Sequence, residues 1–276
     1  MEGLPEKVIA KTELTGKQHS ASESVAAVEL TQESRKGTFE EILMLLDRHK
    51  VHGRVLDFPS GPGKLSVVLR ERGCDVYSAD LDIPSENPYK LNFIESDLDK
   101  ALPFEDNFFD FVVCGDGIEH VESPFLTIRE FARILRPGGV VLISTPNYLN
   151  IEKRFKFLLT GQHTGPIRRI QRLPHHTEKV DAGHINPLTY PRLEHSCYMA
   201  GLDIVDVHVT LSKAKQIFLW PFAAIVQAVG KCRDGKRREQ YKLDVSNSNK
   251  VLLGGHKLMI MARKSTDESK QDPSKS

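Results

Sequence analysis

Several marks of secreted and membrane-spanning proteins are missing from this sequence. Its four cysteines are widely scattered, with no Cys-x-x-Cys pair and no spacing typical of zinc ligands. Residues 1–20 hold no apolar stretch of the kind found in secretory signals, and no apolar run reaches the roughly eighteen residues of a membrane span. We therefore expect a cytoplasmic protein with reduced thiols at Cys74, Cys114, Cys197 and Cys232.

A net charge of one sign is missing as well. The 276 residues include 38 Lys or Arg and 37 Asp or Glu, for a formal net charge of +1. This balance argues against a uniformly basic nucleic-acid-binding protein. It conceals an asymmetry, because residues 1–150 hold 16 basic and 25 acidic side chains whereas residues 151–276 hold 22 and 12. The basic second part favours an anionic acceptor or surface as partner.

The chain divides into one large domain between two polar ends. Residues 1–35 are rich in Glu, Lys, Ser and Thr without strand or helix periodicity, which predicts a flexible arm, and residues 265–276 predict a flexible tail. With 39% hydrophobic residues, the segment 36–264 can bury a full core. Thr38 is the predicted N-cap of a first helix whose apolar face begins at Phe39.

Strand and helix patterns alternate through this domain. Strands are predicted at 54–58, 74–80, 91–94, 111–115 and 140–145, helices at 63–72 and 125–135, and a Pro- and Gly-containing turn at 136–139. The alternation indicates a doubly wound, mostly parallel sheet with helices on both faces. After residue 145 the pattern stops for about forty-five residues, which predicts an insertion with a functional role. It resumes with a helix at 190–199, a strand at 203–209 and a final antiparallel strand at 252–263.

The first strand ends on a carboxylate and leads into a glycine-containing turn, in the sequence VLDFPSGPGKLS of residues 55–66. Glycines at such a junction let a ligand approach the backbone, and the helix that follows offers free N–H groups. A dinucleotide-binding fingerprint would need a third glycine where Ser66 stands, and Asp57 would repel a pyrophosphate. A ligand with a positive group suits the acid better.

From Gly53 to Arg263 the sequence resembles the class I S-adenosylmethionine (SAM) methyltransferases. Asp57, Gly61 and Gly63 match the acid-x-Gly-x-Gly-x-Gly loop of that family, and Pro59 stands where its first glycine usually lies. The resemblance implies a Rossmann-like seven-stranded fold, SAM as cofactor and methyl transfer as the activity. It further implies that the cofactor contacts Asp57, Pro59, Gly61, Gly63, Asp80, Leu81, Asp97, Leu98, Gly115 and Asp116, with Asp80 on the ribose diol and Asp97 and Leu98 at the adenine.

Past the fourth predicted strand lies the sequence GDGIEH of residues 115–120. His120 is the candidate general base, because an imidazole titrates near neutral pH, and Glu119 would orient it. The alternative is that both side chains only brace a loop. The pattern Asp116-x-x-Glu119-His120 is similar to the Glu-x-x-Glu-His of ubiquinone-biosynthesis O-methyltransferases and small-RNA 2′-O-methyltransferases, which hold a divalent metal. That likeness leaves a metal open, with His175, His176 or His184 as a further ligand, although the shorter Asp116 disfavours it.

The acceptor side is predicted at 146–189 and 211–250. Residues 145–161 and 184–189 are similar to a bacterial methyltransferase subgroup whose acceptors include cell-surface glycans. The apolar segment 217–230 contains the single Trp and runs into a basic stretch. It suits either a lid helix packed over the acceptor pocket, which we favour, or peripheral contact with the inner face of a membrane.

These features together predict SAM-dependent O-methylation of a small molecule or a lipid-linked glycan by in-line transfer from the sulfonium. An RNA 2′-O-methyltransferase is a weaker alternative, since no aromatic stacking platform is evident in the sequence. A nicotinamide-dependent reductase is weaker still, because the dinucleotide fingerprint is broken. A catalytically silent SAM-binding or membrane-associated partner protein is the alternative from a different class, suggested by Pro59.

Overall fold

The computed structural model describes residues 36–87, 89–163, 171–172, 180–181, 183–211 and 218–266. The predicted arm at 1–35, most of the predicted tail, and the candidate ligands His175 and His176 lie outside these residues.

A seven-stranded sheet organises the domain. Its strands are β1 (Arg54–Asp57), β2 (Asp75–Asp80), β3 (Phe93–Glu95), β4 (Phe109–Gly115), β5 (Leu135–Pro146), β8 (Leu202–Val209) and β9 (Lys257–Lys264). They lie in the order β3-β2-β1-β4-β5-β9-β8. The first five are mutually parallel, and β9 is antiparallel to both β5 and β8. The predicted doubly wound, mostly parallel seven-stranded sheet is confirmed, including its antiparallel last strand.

The insertion after β5 carries a separate two-stranded ladder of β6 (Gln171–Arg172) and β7 (Val180–Asp181). The helices are α1 (Lys36–Arg48), α2 (Lys64–Glu71), α3 (Pro124–Ile134), α4 (Ile151–Thr160), α5 (Tyr190–Met199), α6 (Trp220–Lys231), α7 (Gly235–Gln240), α8 (Leu243–Ser246) and α9 (Asn249–Leu252). Among the described helices, none is both long and apolar enough to cross a bilayer.

Helices cover both faces of the sheet because its central strands are apolar on both sides. Val55 packs on one face with Leu45 of α1 and Leu69 of α2, whereas the adjacent Leu56 packs on the other face with residues that include Phe131 of α3 and Leu193 of α5. Consecutive strand residues point to opposite faces, so strands buried on both sides appear in the sequence as continuous apolar runs. This packing leaves the loops at the carboxyl ends of the parallel strands free to form a site.

Three sequence predictions are corrected by the structure. Thr38 lies inside α1, which begins at Lys36, and is therefore not its N-cap. The predicted turn at 136–139 is a bulge within β5, since Phe109 pairs with Leu135 while Phe111 pairs with Val140. The last strand begins at Lys257, because residues 249–252 form the short helix α9.

A fourth correction concerns the insertion, in which no regular element was predicted before residue 190. Helix α4 forms there because Asn150 caps it, accepting a hydrogen bond from the Lys153 N–H at 2.8 Å. Gly161 ends it in the left-handed conformation, with φ at 68°.

Candidate active site

The loop after β1 is held against the end of β2. The N–H of Ser60 donates to the Ala79 carbonyl at 2.9 Å, and the N–H of Gly61 donates to Oδ2 of Asp80 at 2.7 Å. Gly61 and Gly63 have φ values of +52° and +82°, in the left-handed region that glycine tolerates best. The loop after β1 and the carboxyl end of β2, both predicted to contact the cofactor, are therefore held together.

The two glycines have different surroundings. A Cβ at Gly63 would lie 2.2 Å from Cδ1 of Leu91, so the start of α2 can approach the chain before β3 only without a side chain. A Cβ at Gly61 would meet nothing within 4 Å. The backbone at Gly61 is thus open to a ligand, and the buried Ser60 hydroxyl beside it has no hydrogen-bond partner among the described residues.

Pro59 fills the space next to the loop after β4. A Cβ at Gly117 would lie 2.5 Å from Cδ of Pro59 and 3.2 Å from Cδ1 of Leu98. The absence of a side chain at position 117 therefore lets the proline ring sit where the family's first glycine would leave space. Pro59, Leu98 and Gly117 join the loops that follow β1, β3 and β4.

Asp80 and Asp97 stand at the ends of β2 and just beyond β3. Oδ1 of Asp80 accepts from the Asp82 N–H at 3.1 Å, in addition to the bond from Gly61, which fixes the carboxylate at the strand end. Asp97 forms an ion pair with Lys100 at 3.2 Å and accepts from the Asp99 N–H at 3.0 Å. Leu81, directly after Asp80, is half-buried.

Asp57 faces the protein interior. Its side chain is 2% exposed, and Oδ2 accepts a hydrogen bond of 2.7 Å from the Ser66 hydroxyl, which itself accepts from Ser78 at 2.7 Å. Burial raises the pKa of Asp57 to about 7, although the Ser66 bond acts in the opposite direction. The acid thus ties β1 to the start of α2.

A second acidic group forms at the end of β4, where Gly115 closes the strand. Asp116 has φ at +56°, and its Oδ1 accepts from the Ser144 hydroxyl at 2.7 Å. Its Oδ2 pairs with Nζ of Lys257 at 2.8 Å. Lys257 is the first residue of β9, and its partner across the sheet is Pro146. The last strand therefore supplies the cation that neutralises Asp116.

Glu119 is fully buried, and neither carboxylate oxygen has a hydrogen-bond partner among the described residues. Burial raises its pKa to about 7, Asp116 adds to the rise, and Lys257 opposes it from 3.9 Å. A buried carboxyl group that accepts no hydrogen bond from the described residues and has its nearest cation 3.9 Å away is unfavourable in an interior that serves packing alone. Glu119 is thus suited to receive a ligand.

Two histidines lie against Glu119. The rings of His120 and His184 meet edge to face at 4.8 Å between centroids. One potential ligand atom from each of Glu119, His120 and His184 lies within 4.8 Å of the others. The hydroxyl of Tyr148 is 3.4 Å from Nδ1 of His184. Carboxylate and imidazole can act as acid and base, or as ligands of a divalent cation.

The end of the insertion is fastened to this group. The Asn186 N–H donates to the carbonyl of Glu119 at 3.1 Å, and its side-chain amide donates to the carbonyl of Val121. These bonds explain how His184, distant in sequence, reaches the loop after β4.

The structure brings the sequence-predicted residues to the carboxyl edge of β1 to β4. Their roles in binding and catalysis stay predictions. Sequence reasoning missed Lys257, Ser144, Ser66 and Tyr148, although Tyr148 and Ser144 lie in a segment already singled out. Lys257 carries no local signal, because its position depends on the register of β9.

The comparisons with known proteins agree with this topology. Residues 31–207 match the model of a methyltransferase-domain family. The chain is 30% identical over 173 residues to a ubiquinone biosynthesis O-methyltransferase of Nitrosospira multiformis, covering 59% of this chain and 68% of that protein. It is 34% identical over 117 residues to the same-named protein of Bordetella avium, covering 39% of this chain and 48% of that one. The chain thus spans about half to two thirds of these relatives.

A solved SAM-dependent methyltransferase from Archaeoglobus fulgidus has the same fold, with a TM-score of 0.54 at 16% identity, covering 84% of this chain and 97% of that one. The chain belongs to the methyltransferase-domain family and is a class I SAM-dependent methyltransferase.

Proposed function

We propose that this enzyme transfers the methyl group of SAM to a hydroxyl oxygen of a small molecule. The observation that carries the proposal is the group of Glu119, His120 and His184 beyond β4, next to the loops predicted to hold the cofactor. Reaction at a hydroxyl needs removal of a proton, and this group supplies an acid and two imidazoles at the place where it is needed.

On the cofactor side, the open backbone at Gly61 and the carboxylate of Asp80 would hold the ribose and the amino-acid part of SAM. Leu81, Asp97 and Leu98 would border the adenine, and Gly115 and Asp116 would border the donor methyl. Asp57 contributes by bracing the loop, since Ser66 already occupies one of its oxygens. Methyl transfer from a sulfonium then depends mainly on alignment and exclusion of water.

On the acceptor side, His120 would accept the hydroxyl proton as the oxygen attacks the methyl carbon. With its pKa raised to about 7, Glu119 would be able to accept or donate a hydrogen bond near neutral pH and so to orient His120 when an acceptor is bound. Lys257 neutralises Asp116, which limits the negative charge beside the base. The segments 146–189 and 211–250 would bound the acceptor.

A divalent metal is a second possibility at the same place. The buried Glu119 oxygens have no hydrogen-bond partner among the described residues, and His120 and His184 add nitrogen ligands. Such a donor set fits a transition-metal ion or Mg²⁺ completed by water, which would lower the pKa of the acceptor hydroxyl. Calorimetric titration with MnCl₂ and ZnCl₂ should give saturable binding to the wild type that His184→Ala removes. Equal heats for both proteins would exclude the site.

The acceptor proposal draws on the relatives named above, which are O-methyltransferases of ubiquinone biosynthesis. A ring hydroxyl on a small molecule is therefore our first candidate, and a lipid-linked glycan with anionic groups is the second. An RNA 2′-hydroxyl and a silent SAM-binding role are outcomes that the same experiment distinguishes.

Two measurements test the proposal. Calorimetry with SAM and with S-adenosylhomocysteine should show binding of both, and loss of both would remove the cofactor assignment. A labelled-methyl screen against quinone-precursor, lipid, glycan and RNA pools should label the first, with the label resistant to mild base as expected of an ether. Label confined to RNA or to glycan would reassign the acceptor, and binding without label in any pool would favour the silent role.

A further inference from the structure

Helix α6 leaves an apolar stripe exposed. Phe218 just before it and Phe222, Ile225 and Val229 within it follow the helical repeat, and their side chains are 82%, 47%, 60% and 56% exposed. The helix attaches to the domain through another face, on which Ala223 and Gly230 are buried. The favoured lid, packed over a pocket by its apolar side chains, does not account for this stripe.

The end of α4 extends the stripe. Phe155 of α4 meets Phe222 edge to face at 5.0 Å, which places the two helices side by side. Leu158 and Leu159 follow on α4 and are 76% and 82% exposed. We call Leu158, Leu159, Phe218, Phe222, Ile225 and Val229 the apolar surface. Large exposed apolar side chains gathered on neighbouring helices mark an interaction site.

Basic residues border the apolar surface. Lys231, Arg233 and Lys236 are exposed at and beyond the carboxyl end of α6. Residues 151–163 and 218–242 together hold nine Lys or Arg and three Asp or Glu. Three of these cations are paired within the protein, Arg237 with Asp234, Arg238 with Asp244 and Lys242 with Glu194, whereas Lys231, Arg233 and Lys236 are in none of the described ion pairs. The excess positive charge nevertheless remains on this side of the molecule.

From these observations we propose that the apolar surface docks on an anionic lipid bilayer, with Lys231, Arg233 and Lys236 at the level of the headgroups. An amphipathic helix that joins a band of apolar side chains to a basic flank binds such a membrane by burying the first and attracting lipid charge to the second. A second copy of this chain fits less well, because two basic flanks would face each other and repel.

The docked orientation would bring the candidate active site near the bilayer. The rings of Phe157 and His163 stack at 4.0 Å, the rings of His163 and Tyr148 lie 6.3 Å apart, and the Tyr148 hydroxyl contacts His184. This aromatic series leads from α4 to the histidines beyond β4. Delivery of an acceptor along it rests on the proposed function, whereas membrane docking itself does not.

The test is binding of the full chain, without SAM, to vesicles of phosphatidylcholine and to vesicles of equal parts phosphatidylcholine and phosphatidylglycerol. We expect co-sedimentation with the anionic vesicles only. The double change Ile225→Ser with Val229→Ser should lower the partition coefficient at least about tenfold. Tyr198→Ser, at a 68% exposed position on α5, is the matched control and should not change it.

The double change Lys231→Glu with Lys236→Glu tests the contribution of charge. It should lower the partition coefficient for anionic vesicles about fivefold or more for each cation removed. Arg129→Glu with Lys50→Glu makes the same net change at exposed positions away from the apolar surface and should have little effect. Equal binding of the Ile225/Val229 variant and the wild type would overturn the proposal. So would equal binding to neutral vesicles, or a dimer in solution that the Ile225/Val229 variant abolishes.

Discussion

Asp57 and Glu119 are two buried carboxyl groups at the ends of neighbouring strands, and they differ in what surrounds them. Burial raises the pKa of each to about 7. Asp57 accepts a hydrogen bond from Ser66, whereas Glu119 has none from the described residues. The protein interior thus supplies a hydrogen-bond donor to Asp57. Among the described residues it supplies none to Glu119, which lies near His120 and His184. We therefore propose that Asp57 braces the loop after β1 and that Glu119 takes part in the reaction beyond β4.

The largest expected effect is on turnover, and it distinguishes His120 beyond β4 from Asp80 at the end of β2. His120→Ala should lower kcat about 10²- to 10⁴-fold, because the proton acceptor is lost, and leave calorimetric affinity for S-adenosylhomocysteine unchanged. Asp80→Ala is the counterpart and should instead weaken that affinity about ten- to a hundredfold, since charge-assisted hydrogen bonds are lost. Unchanged turnover of the His120 variant with intact cofactor binding would exclude both its base and its metal roles.

A smaller effect concerns stability against pH. Each acid has a pKa near 7 in the folded protein and about 4 in the unfolded chain, so the folded state holds the proton more tightly. The stabilisation is complete below about pH 4 and is lost as the pH rises through 7. The wild type should therefore become less stable between these values.

The neutral replacements Asp57→Asn and Glu119→Gln should each remove the part of this pH-dependent loss of unfolding free energy that belongs to the replaced acid. Each part is on the order of 1–4 kcal/mol. Urea unfolding at a series of pH values measures this loss, and Glu105→Gln, at an exposed position, controls for a general charge effect. Ser66→Ala removes a hydrogen bond that lowers the pKa of Asp57. It should therefore move only the stability loss that belongs to Asp57 to higher pH. An unchanged slope in both carboxyl variants would contradict the buried placement of the acids.

The smallest expected effect tests how the two strand ends touch. Gly117→Ala should destabilise the protein by about 1–3 kcal/mol, because its Cβ would lie 2.5 Å from the Pro59 ring. Pro59→Gly should be destabilising by itself, but Gly117→Ala should cost less stability in the Pro59→Gly background than in the wild type, because the methyl group then has room. A double-mutant cycle in urea gives the coupling, and additive effects would mean that the loops relax independently.

The sequence was sufficient where structure depends on local pattern. The central strands are continuous apolar runs, and Gly61 and Gly63 mark the turn into α2. The order of these strands and helices along the chain could therefore be predicted. The bulge at 136–139 could not, because strand pairing on both sides of it decides that it is not a free turn. Helix α4 has an N-cap at Asn150 and a C-terminal glycine at Gly161, but the Pro, Gly, His and Arg residues of the surrounding insertion favour irregular structure and obscure these two signals.

The candidate site likewise has residues that local sequence predicts and one that it does not. Asp57, Asp80, Asp97 and His120 stand at strand ends, and the parallel topology brings strand ends together. Lys257 reaches Asp116 only through pairing of β9 with β5, between residues more than a hundred positions apart. Contacts of that range have no counterpart in local sequence.

The position of β9 affects how the protein is made. This strand is the last of the described strands along the chain, yet it lies between β5 and β8, and β8 pairs with no other described strand. During synthesis the chain emerges from its N-terminus, so β8, complete at Val209, has no neighbour until Lys257–Lys264 leaves the ribosome. A nascent chain paused between these points would expose the unpaired edge of β5 and would lack the Lys257 charge beside Asp116. Release of the final strand would then complete the sheet and the acidic group in one step.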